Sequence, residues 1–238
     1  MQRTMSNTNL LAIGVFLGLT LLGYLLGNAA IQVKEYERTV TAKGLSEREV
    51  PADVVIWPIA FTQAANDLEQ LYLGMEQSVG KVTAYLSSKG IVETEVSVGP
   101  PAVTDKAAQQ WAGGERPEFR YTATQVVTVY SGAVDKVREA MQGLVELGKQ
   151  GLVFTGSNYG HVTEYQFNGL NAIKPAMIEE ATINARAVAE KFARDSDSEV
   201  GKIRRASQGQ FSITDRDKNN PHIKTVRVVS TIEYYLAD

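Results

Sequence analysis

The residues able to do chemistry in this chain are few. There are two histidines, His161 and His222, and no cysteine. The lack of thiols excludes disulfides, cysteine nucleophiles and cysteine-ligated metals. His161 stands in YGHVTEY, three residues before Glu164. Two ligands do not make a centre, because a metal site recruits three or four. Asp215, Asp217 and Asn219 imitate the start of a calcium loop, D-x-D-x-N. The pattern then fails, since Asn220 takes the sharp-turn glycine position and Val226 the bidentate glutamate position. A solvated turn is the reading that remains. Gly143-LVEL-Gly148-Lys149 has the outline of a phosphate loop. Gln150 comes next, where a magnesium-binding hydroxyl should stand, and the stretch reads as a helix end. No serine lies in a G-x-S-x-G elbow. Glu179 and Glu180 are helix neighbours whose side chains diverge. Lys202, Arg204 and Arg205 form a basic group on an expected strand, with Lys202 and Arg204 on one face by period two. This group suits an anion or a partner, or simply a solvated face. The expectation is no catalytic residue, no metal, no cofactor and no enzymatic activity.

The elements that would carry these residues begin with a membrane segment. Leu10–Leu26, LLAIGVFLGLTLLGYLL, carries no charge. Seventeen residues give roughly 25 Å of helix, against a hydrocarbon core of about 30 Å. Small and apolar residues continue to Val33. A helix satisfies its own backbone in lipid. Two readings stay open: a retained signal anchor, or a signal peptide cut near Gly27-Asn28-Ala29. The apolar run exceeds the usual length of a cleaved signal, which favours the anchor. Both readings export the remainder of the chain. The charges flanking the span do not favour one orientation. A short tail before a long domain is the ordinary export arrangement, so the N-terminus is placed inside. Gly14-xxx-Gly18 and Gly23-xxx-Gly27 offer small-residue faces on which two helices can approach closely. The division expected is a tail over 1–9, a transmembrane anchor over 10–33 and one exported domain over 34–238.

Residues 1–33 hold one Arg and no acid, so the exported part carries 23 basic and 27 acidic residues, net −4. That balance is wrong for a general nucleic-acid binder. Its 205 residues suffice for a real core.

Hydrophobic periodicity predicts the elements of the exported part. A strand over Thr39–Lys43 ends at Gly44, and Glu47–Val50 is a connector. A strand over Ala52–Phe61 contains Pro58, which suggests an edge or a bulge. Asn66 or Asp67 caps a helix with inward Leu68, Leu71, Tyr72, Met75, Val79, Val82, Tyr85 and Leu86, ended by Gly90. Glu95–Val103 is a strand interrupted by Pro100-Pro101. Residues 104–117 form the loosest segment, and Trp111 beside Gly113-Gly114 is a candidate ligand or membrane contact. Strand Glu118–Tyr130, helix Val134–Leu147 and strand Ser157–Phe167 come next. A long helix over Asn171–Arg194 turns Met177, Ile178, Ala181, Ala185, Val188, Ala189 and Phe192 to one side. Strands Val200–Gln208 and Ile223–Leu236 close the chain around a polar loop, 214–222. Helices on one face of a largely antiparallel sheet make this α+β.

Four stretches taken in order resemble the bacterial SIMPL-domain family: TVTAKGLSEREVPADVVIWPIAF, FRYTATQVVTVYS, the Ala-rich helix running into SEVGKIRRASQG, and KTVRVVSTIEYYL. The resemblance covers about residues 39–237. It implies a SIMPL-like α+β domain and a cell-envelope location. It also implies, as for at least one member, a large ring- or channel-like homo-oligomer. Members include a periplasmic immunogenic protein and a protein implicated in oxidative-stress defence. The family brings no catalytic motif to carry over. The expectation is therefore a single-pass bacterial inner-membrane protein with its domain in the periplasm. Its partners would be itself, the membrane through the N-terminal helix, and an unidentified envelope protein or lipid. It would assemble into a ring or cage with a scaffolding or stress-protective role, with strands 118–130 and 223–236 as pairing edges. The alternative is a periplasmic binding module for a small hydrophobic ligand, lipid or partner protein.

Overall fold

The computed structural model describes residues 7–35, 38–108, 118–155 and 161–237. The chain runs α1 (Asn7–Glu35), β1 (Thr39–Pro51), β2 (Val54–Ala65), α2 (Leu68–Ser88), a 3₁₀ turn (Glu93–Glu95), β3 (Val96–Val98) and β4 (Ala102–Asp105). It continues with β5 (Tyr121–Ser131), α3 (Val134–Gln142), α4 (Val145–Lys149), β6 (Val153–Phe154), β7 (Glu164–Gln166), α5 (Leu170–Asp195), β8 (Glu199–Gln208), β9 (Ser212–Asp215) and β10 (Ile223–Ala237). The fold is α+β with antiparallel sheets. Two compact units share it, the first over 1–47, 174–212 and 227–238, the second over 48–173 and 213–226.

In the first unit a sheet ordered β1-β10-β8 is covered on one face by α5. Small side chains make this fit possible. Met177, Ala181, Ala185, Ala189 and Ala193 recur at every fourth position and are all buried. Ala42, Ile232 and Tyr234 meet the alanine face from β1 and β10. Gly44 does not close β1 as expected; the strand passes through it to Pro51. The glycine is there because α5 is, as a Cβ at Gly44 would collide with the backbone of Ala181 and Ala185. Phe192, expected on the inward face, is 55% exposed. β8 is the outer strand, and two register shifts interrupt its pairing with β10. One of them skips Arg204 between the pairs Glu233↔Arg205 and Tyr234↔Ile203. The break falls inside the basic group, between Ile203 and Arg205. Arg204 reaches Glu233 at 2.9 Å, which also accepts from Thr39 Oγ1 at 2.9 Å, linking three strands.

In the second unit β2 and β5 pair over eleven residues, from Val55↔Ser131 to Ala65↔Tyr121. β3 and β4 flank β5, while β6 and β7 flank β2. Pro58 is thus inside the sheet, not at an edge or bulge. Its tolerance has a local cause. Ala60 accepts Thr155 N–H on the β6 side, so the Pro58 nitrogen turns to that side too. There it falls between the residues paired with β7 and those paired with β6. Pro100-Pro101 splits the expected strand into β3 and β4, both at the edge beside β5. The helix over 134–147 breaks into α3 and α4 at Gly143, where a Cβ would meet the Tyr85 hydroxyl. Part of the loop over 214–222 is β9 of a hairpin.

The two strands expected as pairing edges are both interior. β5 lies between β2 and β3/β4, and β10 lies between β1 and β8. The length and apolar content of these strands reflect neighbours on both sides, not a free edge. Trp111 and residues 156–160 lie outside the described residues.

Candidate surface groove

The second unit builds its core where α2 crosses β2 and β5. Asp67 caps α2, its carboxylate accepting Gln70 N–H at 3.0 Å. Leu71, Met75, Val82 and Leu86 then face Phe61, Val127 and Val129. Tyr85 is buried with its hydroxyl donating to Ala140 O at 2.6 Å, and burial pushes its pKa above 10.0, aided by Glu146. Gly90, at φ +77°, ends the element.

The sheet extends one strand beyond the cover of α2. β5 residues Val127 and Val129 are buried, whereas their partners Val98 and Val96 on β3 stand at the rim. Between β3 and the flank of α2 runs a groove. Two adjoining hollows make it up, about 670 Å³ by Thr83, Ala84, Val92 and Val96, and about 600 Å³ by Tyr72, Leu73, Val79 and Pro101. Val98 belongs to both. Tyr72, expected to be inward, is part of this half-exposed lining. The titratable groups along it are acidic: Glu69 and Glu76 beside one hollow, Glu93 beside the other. Gln125 donates to Gly99 O at 2.7 Å and holds the strand break in place.

The residues singled out for chemistry are scattered. Asp217 builds a turn, accepting from the backbone of Asn219 and Asn220 and pairing with Arg216. Arg216 first, then the Asn220 side-chain amide and the two backbone bonds, hold its carboxyl down to about 2. Asp215 is bound to Lys224, itself buried. His222 packs edge-on to Tyr165 with centroids 6.0 Å apart. Burial, with Arg138 and Arg216, lowers its pKa below 6.5, and Asp135 and Asp217 oppose the shift. Glu180 accepts from Ser46 Oγ at 3.0 Å. Among the described residues no group of three or more His, Asp or Glu is placed to hold a metal ion. Gly143 and Lys149 sit at the ends of α3 and α4, where no phosphate cradle forms. Sequence reasoning finds most of the groove's residues as helix and strand, but not the groove. Glu69, Leu73 and Glu76 fall on one helical flank, and that spacing is the signal the sequence offers.

On α1, Leu11–Ala30 is long and apolar enough to cross a membrane, and none of it is buried among the described residues. A signal sequence has the same properties. A Cβ at Gly14, Gly18, Gly23 or Gly27 would meet nothing within 4 Å. The midpoints of the two glycine pairs are nine residues apart, about 2.5 turns of helix, so the pairs face opposite sides.

An antiparallel α+β domain behind one apolar helix defines the class. The family described as "SIMPL: Protein of unknown function (DUF541)" matches residues 40–230. The chain belongs to the SIMPL family. No curated protein matches it.

Proposed function

We propose that this is a non-enzymatic envelope protein, anchored in the bacterial inner membrane by α1 with its domain in the periplasm. Copies self-assemble into a large homo-oligomeric ring or cage, with a scaffolding or stress-protective role. The observation that carries this reading is the opposed placement of Gly14/Gly18 and Gly23/Gly27 on an unburied apolar helix. Each helix then offers one close-packing face to each of two neighbours. A closed ring with head-to-tail contacts needs two different faces per subunit. Membership of the SIMPL family fits an envelope-type role. The test is the mass of the full-length protein in mild detergent beside a version starting at Lys34. One large species for the full-length chain is expected. A monomer across the accessible concentration range would sink the reading.

A second reading has its own observation. Both hollows of the α2–β3 groove lie in the volume range of small-molecule sites, about 300–1,000 Å³. A periplasmic binding module for a small hydrophobic ligand or lipid would use that groove. Uptake of an environment-sensitive apolar dye, abolished by Leu73→Lys, would favour it.

A further inference from the structure

We propose that the α2–β3 groove is occupied by strand β8 of a second copy of the chain, which rests on the self-assembly reading above. The two surfaces are complementary in charge. The groove is apolar and rimmed by Glu69, Glu76 and Glu93, with no cation in its lining among the described residues. β8 is the outer strand of its sheet and is exposed along nearly its whole length. It carries Lys202 and Arg205, neither of which makes an ion pair among the described residues, with Ile203 between them 49% exposed. Arg204 is already held by Glu233.

The spacings are compatible as well. Glu69 and Glu76 are seven residues apart on α2, about 10 Å along the axis. Lys202 and Arg205 stand about 7 Å apart, two ladder steps because Arg204 is skipped, and their long side chains reach across the remaining difference. Arg205 pairs with Glu233 and Ile203 with the neighbouring Tyr234, so Ile203 turns to the opposite face of β8 and the cation side alone meets the glutamates and Leu73, which is 51% exposed. At the groove's other wall, Gly99 N–H turns to Val126 O, so the backbone groups of Val98 turn outward by alternation. They can meet an incoming strand over the short length of β3. An anionic lipid headgroup would instead face three carboxylates. A strand donated by one copy and a groove offered by the next make a head-to-tail contact, which closes into a ring or propagates.

The test uses full-length protein in mild detergent. Reversing the groove charges (Glu69→Lys with Glu76→Lys) or the strand charges (Lys202→Glu with Arg205→Glu) should each raise the concentration for half-assembly about 10-fold or more. Combining all four substitutions should restore assembly. The chain has no native cysteine, so a second arm is clean. Separately purified Leu73→Cys and Arg204→Cys proteins, mixed and oxidised, should give a crosslinked dimer that neither gives alone, because Arg204 lies on the Glu233 side of the strand with Arg205. An unchanged assembly in both reversals, with no mixed crosslink, overturns the inference while the ring reading stands. The same holds if the groove reversal changes only apolar-dye uptake, which assigns the groove to a small ligand. Failure of the quadruple variant to reassemble, with its fold intact by circular dichroism, overturns the pairing. A monomeric parent protein overturns the ring reading itself.

Discussion

Gly44 on β1 lies against Ala181 on α5 so closely that a Cβ at Gly44 would come within 3.0 Å of both the Ala181 carbonyl oxygen and the Ala185 nitrogen. Backbone atoms of a helix cannot swing aside as a side-chain tip can. Gly44→Ala therefore forces α5 off the sheet, costing at least about 1–3 kcal/mol as overpacking. Gly80, in the interior of α2, is the control, since a Cβ there meets nothing within 4 Å. Gly80→Ala should stabilise by roughly 0.5–1 kcal/mol through helix propensity alone. Urea unfolding of both variants checks the contrast, and similar small effects at both sites would refute the close-packing account.

The parts of the fold legible in the sequence are those that local patterns encode. The alanines of α5, the cap at Asp67 and the stop at Gly90 announce themselves by spacing and residue type, and the structure has them where expected. Gly44 misleads because a glycine that admits a neighbouring helix looks, in one dimension, like a glycine that ends a strand. Gly143 is hidden inside a periodic helix because its reason is the distant Tyr85 hydroxyl. The position of β10 and β5 within their sheets is not readable at all. Strand order is set by partners far away in sequence, and a long apolar strand carries the same pattern whether it ends a sheet or sits inside it. The groove escapes sequence reasoning for a related reason, since it exists only where one sheet outruns one helix.

Asp53 fastens the start of α5. Its carboxylate accepts Asn168 N–H at 2.8 Å and Gly169 N–H at 2.8 Å. These are charge-assisted bonds to donors just before a helix, where no intrahelical partner is available. Asp53→Ala should cost about 1–2 kcal/mol, with Asp53→Asn losing less because an amide oxygen can still accept. Thermal unfolding ranks the three proteins, and an unaffected Asp53→Ala variant would remove the capping role.

His222 gives the second unit a pH dependence of definite sign. Its folded pKa lies below 6.5, first through burial and then through Arg138 and Arg216. The unfolded chain therefore takes up a proton more readily than the folded one as pH falls through the ordinary imidazole range. Its stabilising contribution is complete above pH 6.5 and declines as pH drops toward the folded pKa. Denaturation midpoints at about pH 5 and about pH 7.5 should differ more for the parent than for His222→Gln. Equal differences in the two proteins would show that His222 does not couple to folding.

The glycine pairs on α1 give the proposed assembly a direct test of its direction. A peptide of residues 7–35 folds as a helix in lipid on its own, because its backbone bonds are internal. Gly14→Ile with Gly18→Ile blocks one face, and Gly23→Ile with Gly27→Ile blocks the opposite one. Among the described residues, a Cβ at these positions meets nothing within 4 Å beyond the helix's own backbone. If unlike faces meet, either blocked peptide alone should be monomeric in micelles by energy transfer. An equimolar mixture should give dimers and nothing larger, because only one productive pairing remains. If like faces meet, each blocked peptide should still form dimers alone. That second result would replace a ring of head-to-tail helices with alternating two-fold contacts, and it would demand an even number of subunits.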